Sequence, residues 1–237
     1  MLRIGVTLIT FTLGVGVATV YRLISPESTS IPVVATAETP FAPSTTACYP
    51  GRSIKVRVTD RSSYFPTSGP CQNEWQGEFR DNWYSKHLRA MNEAPLHAPD
   101  DSGLESYRFL WLRSFHHPVA VRIWNSGSKQ FISVKETNGA GGYDPGRIIV
   151  NETKELTAHE WSEFIRLLDA SCYWQLPTFD DEISGTDGAQ WVLEGVKGGR
   201  YHIVDRWSPR SGDYREACLY VLKLSGLNLD FSSETIY

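Results

Sequence analysis

Positive charge is in short supply: 23 lysines and arginines face 27 aspartates and glutamates, a formal charge of -4 over 237 residues. That balance excludes the basic footprint of a nucleic-acid binder. Cysteine is scarce too. There are four, Cys48, Cys71, Cys172 and Cys218, with no CxxC or Cys/His spacing suited to zinc. Also missing are a Gly-x-Ser-x-Gly elbow, a His-Glu-x-x-His pair and a Gly-Lys-Ser/Thr phosphate motif. No metal and no cofactor is expected on these grounds. The glycine run Gly139-Ala140-Gly141-Gly142-Tyr143-Asp144-Pro145-Gly146 precedes a strand-like Arg147-Ile148-Ile149-Val150. A phosphate loop would need a helix there, so the run reads as a flexible turn.

Long apolar runs are equally rare, and the single candidate is at the start. Ile4 to Tyr21 is uncharged for 18 residues between Arg3 and Arg22, at the short end of what spans a bilayer. Residues 1–23 therefore read as an uncleaved signal anchor. A signal peptide cut after Gly16-Val17-Ala18 or Ala35-Thr36-Ala37 is the alternative. Residues 24–47 follow as a linker: Ser, Thr, Pro and Ala fill 17 of the 23 positions from Ser25 to Ala47, too few apolar groups to offset ordering. Anchor, spacer and then residues 48–237 as one globular domain describe an exported protein held off a membrane. An even cysteine count in that setting predicts two disulfides. The preferred pairing is Cys48–Cys71 and Cys172–Cys218.

Aromatics are plentiful, with eight Trp, 11 Tyr and ten Phe in the whole chain, enough for a sizeable core. Ile54, Val56 and Val58 alternate with Lys55 and Arg57 as in a half-exposed strand. Residues 73–92 have helical composition, with apolar stripes Trp75, Phe79, Trp83 and Tyr84, Leu88, Met91. Residues 105–124 read as two strands joined at Phe115-His116-His117-Pro118. Pairing Ser114 with Val119 predicts an aromatic, cationic face of Tyr107, Phe109, Trp111 and Trp124 with Arg113 and Arg122. Gln130–Thr137 and Arg147–Glu152 add two strands. Thr157 and Glu160 form a capping box opening a helix, on which Trp161, Ile165, Leu168 and Cys172 recur at helical spacing. Asp213–Leu224 is a second amphipathic helix carrying Cys218 inward. The fold class that follows is α+β: antiparallel hairpins packed against two or three helices.

The last hairpin turns at Lys197-Gly198-Gly199-Arg200. Pairing Val196 with Arg200 across a three-residue loop keeps one face apolar and places Glu194 opposite His202 on the wetter side. It also sets Asp205 on the apolar face, opposite Trp191, where a buried carboxylate requires a partner such as Arg113 or Arg122. Adjacent His116 and His117 point opposite ways and do not chelate one metal together. His159 and Glu163 lie on a solvated helix face.

The blocks WYSKHLRAM, ESYRFLWLRSFHHPVAVRI, GGYDPGR, LTAHEWSEF and DGAQWVLEGVKGGRYHIVDRWSP resemble those of an uncharacterised family of exported or membrane-anchored bacterial proteins, over most of residues 74–226. The resemblance implies no activity and no catalytic residue. The functional expectation is a membrane-tethered extracytoplasmic binding module. It would take a protein or a small anionic ligand through Arg113, Arg122, Trp111 and Trp124, with Tyr84 and His87 beside them. The alternative is a hydrolase-like enzyme using Asp205, His202 or Glu194.

Overall fold

The computed structural model describes residues 54–55, 64–65, 78–97, 105–179, 185–231 and 236–237. The expected anchor and linker, Trp75, Cys48 and Cys71 lie outside the described residues. Among the described residues, no helix is long and apolar enough to cross a membrane.

The chain runs β1 (Ile54–Lys55), α1 (Glu78–Ala90), β2 (Glu105–Arg113), β3 (Val119–Ser126), β4 (Lys129–Thr137), β5 (Ile148–Leu156) and α2 (Ala158–Ala170). A short 3-10 turn (Tyr173–Gln175), β6 (Ala189–Lys197), β7 (Arg200–Trp207) and α3 (Asp213–Ser225) complete it. The strands form one sheet in the order β1-β7-β6-β2-β3-β4-β5, every pairing antiparallel. The fold is α+β.

Both faces of this sheet are covered at its centre. Strand β2 is buried at every position but the first and β6 at every position but the last. Helices α2 and α3 pack on one face over Tyr107, Phe109, Trp111, Val121, Trp191, Leu193 and Val204. On the other face, Tyr84 and Leu88 of α1, with Met91 just after it, meet Leu110, Leu112, Ala120, Val192, Tyr201 and Ile203. A doubly covered strand has no wet side to reveal its register, because polar residues can be buried on either face if they are partnered.

That is why both expected registers are overturned. Trp111 pairs with Val119 and Tyr107 with Ile123, so β2 ends before Ser114. The Ser114 backbone is committed elsewhere: its N–H donates to the Gly188 carbonyl at 2.8 Å and its carbonyl accepts from the Gly142 N–H at 3.2 Å. In the second hairpin, Lys197 pairs with Arg200 and Val196 with Tyr201. Gly198 and Gly199, at φ 56° and 74°, form the two-residue turn whose twist suits paired strands. Asp205 consequently faces α1 beside Val192, and Glu194 stands opposite Ile203, not His202.

The helices follow their local signals. Thr157 Oγ1 accepts from the Glu160 N–H at 3.2 Å while Glu160 Oε2 accepts from the Thr157 N–H at 2.8 Å. Phe164 and Leu168 are buried beneath. Helix α2 stops at Ala170, so Cys172 leaves the buried stripe and sits in the left-handed region at φ 52°. The expected Cys172–Cys218 bond does not form: Cys218 is a free thiol inside the core. Cys172 is disulfide-bonded, but no disulfide joins two described cysteines.

Candidate functional site

Helix α1 presents two stripes to different surroundings. Tyr84, Leu88 and Met91 are fully buried on the sheet, whereas Phe79 is 75% exposed and Trp83 is half-buried. Trp83 Nε1 donates to the Gly141 carbonyl at 2.7 Å, joining the helix to the glycine loop. Hydrogen bonds tie that turn to its surroundings. The Gly141 N–H donates to the His116 carbonyl at 3.0 Å, and a β-carbon on Gly141 would fall 2.5 Å from the Arg113 carbonyl oxygen. Only glycine permits this approach, and it seats Tyr143 opposite the start of α1.

Between these walls lies a cleft of about 640 Å³. Helix α1 supplies Phe79, Arg80, Trp83 and Lys86, and the glycine loop supplies Tyr143. Phe179 and Thr186 close another side, and Gln190, Asp205 and Trp207 come from β6 and β7. The Arg80 guanidinium lies 4.3 Å from the Phe179 ring centroid, a cation–π contact that orders the rim.

Asp205 is the unusual member. It is 3% exposed. Its Oδ2 accepts from the Tyr84 hydroxyl at 2.8 Å, and its Oδ1 has no hydrogen-bond partner. Burial lifts its pKa to about 6, against the Tyr84 hydrogen bond and the positive charges of Arg80 and Arg206. Neither expected clamp reaches it. Arg113 projects from the other face of the sheet, its guanidinium 3.9 Å from the Trp111 ring centroid. Arg122 is 3.3 Å from Glu93 and lies 4.6 Å from the Trp124 ring centroid.

The anticipated Arg-aromatic face therefore does not exist as one surface. Trp111 is buried under α2 and α3, its ring 5.9 Å from that of Trp191. Trp124 is on the α1 side, stacked on Phe131 at 5.5 Å. Of the six residues expected to bind, Tyr84 alone contacts Asp205. His87 is buried one turn along α1, where desolvation and Lys86 push it down to about 4 against an opposing pull from the Gly141 backbone.

The three candidate catalytic groups are dispersed. His202 faces the α2 side, its ring 5.1 Å from Tyr173 and 6.1 Å from Trp174. Burial takes it to about 4. Glu194 belongs to a buried charge network: Arg108 Nη2 lies 2.6 Å from its Oε2, and the Tyr201 hydroxyl donates to its Oε1 at 2.8 Å. Arg108 also reaches the Ala94 carbonyl at 2.6 Å and Glu93 at 3.5 Å. Lys135 holds Glu93 at 2.7 Å. Burial works against the charge on Glu93, and Arg108, Arg122 and Lys135 overcome it, holding the carboxyl below its ordinary range. Asn92, left-handed at φ 52°, is the turn that follows α1 and leads into Glu93. Among the described residues no His, Cys, Asp and Glu cluster is arranged to hold a metal.

Arg80, Trp83, Tyr143, Phe179, Gln190 and Trp207 were not singled out from the sequence, because they come from five separate segments. Arg108 did carry a signal: it shares parity with Leu110 and Leu112, so alternation alone directs it into the core. Comparison with protein families, curated proteins and solved structures finds no match, so the reading of this cleft rests on its own geometry.

Proposed function

We propose that this protein is a binding module whose ligand enters the cleft above Asp205. One observation carries the reading: a buried carboxylate keeps an oxygen without a partner at the floor of a ligand-sized cavity. Proteins satisfy the large majority of buried polar atoms, and an unsatisfied one beside a cleft can be met by a group supplied from outside. The aromatic walls and the exposed Phe79 and Tyr143 at the mouth supply apolar contact area. The apolar stretch Ile4–Tyr21 and its Ser/Thr/Pro linker support display of this module outside a membrane.

A hydrolase built on Asp205, His202 and Glu194 has little support, since His202 lies across the sheet and Glu194 is locked to Arg108. Ser114, one of the hydroxyls lining the cleft, is committed to Gly188: it donates to that carbonyl and accepts from that N–H, both at 3.1 Å. The test uses Trp83 and Trp207 as reporters. Small aromatic compounds titrated into the full chain should change tryptophan emission saturably. Trp83→Ala should weaken that binding by about tenfold, the scale of one lost aromatic contact. Unchanged binding in Trp83→Ala would place the ligand elsewhere.

A further inference from the structure

The cleft is not only aromatic; its charges are sorted by depth. The carboxylate of Asp205 is at the floor with Oδ1 unpartnered. Lys86 is exposed and Arg80 half-buried on the α1 wall. Phe79, Trp83 and Trp207 line the same cleft. A buried carboxylate is best satisfied by a charged donor, because charge-assisted hydrogen bonds are about twice as strong as neutral ones. Aromatic faces stabilise the same cation through their quadrupoles. The two basic side chains would repel a purely cationic molecule but hold an acidic group that stays near the solvent.

Resting on the binding reading above, we infer that the ligand is amphoteric: a protonated amine or guanidinium head on Asp205, a flat apolar body along the rings, and an acidic tail at Arg80 and Lys86. This replaces the simple anion suggested by the sequence. An anion at the floor would face Asp205 directly, and like charges in a dry site are strongly disfavoured.

Four probes separate the parts. 4-(Aminomethyl)benzoate carries head, body and tail; benzylamine lacks the tail, 4-methylbenzoate lacks the head, and benzyl alcohol lacks both charges. Calorimetry and tryptophan emission should rank 4-(aminomethyl)benzoate first. Benzylamine should bind about tenfold more tightly than benzyl alcohol, the scale of one charge-assisted hydrogen bond. Asp205→Asn, checked for folding by circular dichroism, should abolish the preference for benzylamine over benzyl alcohol. Lys86→Ala, at an exposed position that does not endanger the fold, should reduce only the advantage of 4-(aminomethyl)benzoate over benzylamine. If benzyl alcohol or 4-methylbenzoate matches benzylamine, the head assignment is overturned while the cleft survives. An unchanged tail advantage in Lys86→Ala overturns the acidic-tail assignment at that residue. If none of the four binds, the binding reading itself falls.

Discussion

The two faces of the sheet solve burial in different ways. Under α2 and α3 the core is nearly all hydrocarbon and ring: Tyr107, Phe109, Trp111 and Trp191 interlock, and both indole N–H groups donate to the Tyr237 carbonyl, at 2.9 Å from Trp191 and 3.4 Å from Trp111. Under α1 the same sheet buries Arg108, Glu194, Glu93, Asp205 and His87 among its apolar residues. Arg108, Glu194 and Glu93 partner one another or their neighbours, whereas Asp205 keeps one oxygen, and His87 both ring nitrogens, without a hydrogen-bond partner. The dry face stabilises, and the polar face carries both the cost of burial and the proposed site. Natural proteins commonly accept such local destabilisation where function resides.

The largest test of that division is Trp191→Ala. It removes a fully buried side chain and should cost about 5 kcal/mol, the upper end for such truncations, read from urea denaturation. Benzylamine affinity should hold wherever the variant remains folded. A loss below about 1 kcal/mol would mean that this face is not the source of stability.

Next in size is the charge network. Glu194→Ala leaves Arg108 buried without its main partner and should cost about 4 kcal/mol, whereas Arg108→Met with Glu194→Leu should come within about 1 kcal/mol of wild type. Equal losses in the single and double variants would show that the ion pair itself stabilises the fold, making the two faces alike.

The smallest effect concerns pH and has opposite signs at different sites. Folded Asp205 holds its proton to about 6 against an ordinary 3.8. Below 3.8 both states are protonated and nothing is lost. Between 3.8 and 6 the unfolded chain ionises first, so stability falls as pH rises, and above 6 the cost stands in full at about 3 kcal/mol. Asp205→Asn should therefore be more stable than wild type at pH 7.5 by about 2–3 kcal/mol, the gap closing as pH approaches 4. His87 and His202, one on each face, drop from 6.5 to about 4. Above 6.5 they are neutral in both states; below it the unfolded chain takes protons first, and stability falls as pH drops. With two histidines against one aspartate, wild type should lose stability from pH 6.5 to 4, and Asp205→Asn more steeply. Thermal melts across that range decide it. A wild type flat over that range would contradict the burial of both histidines.

Legibility followed range of interaction. The capping box at Thr157 and Glu160 and the turn-forming Gly198-Gly199 act within a few residues, and the helix at 158–170 was readable to its first residue. Even so, the Gly-Gly turn was assigned the wrong loop length. The choice between pairing Val196 with Arg200 or with Tyr201 rested on supposing one wet face, and α1 removes that wet face. The same supposition puts Arg113 and Arg122 on one surface, which the observed register does not. Cys172 was placed on a helical stripe that ends two residues too early to include it.

What the sequence by itself determined is local: which segments form strands and helices, and where α2 is capped. Periodicity and capping depend on neighbours along the chain, so they are written there. The tertiary structure alone decided that Asp205 lies in a cleft beside Tyr84, that Glu194 belongs to Arg108, and that Cys218 stays a free thiol. Those outcomes depend on which element covers which face, and burial sets both register and the cost of a charge.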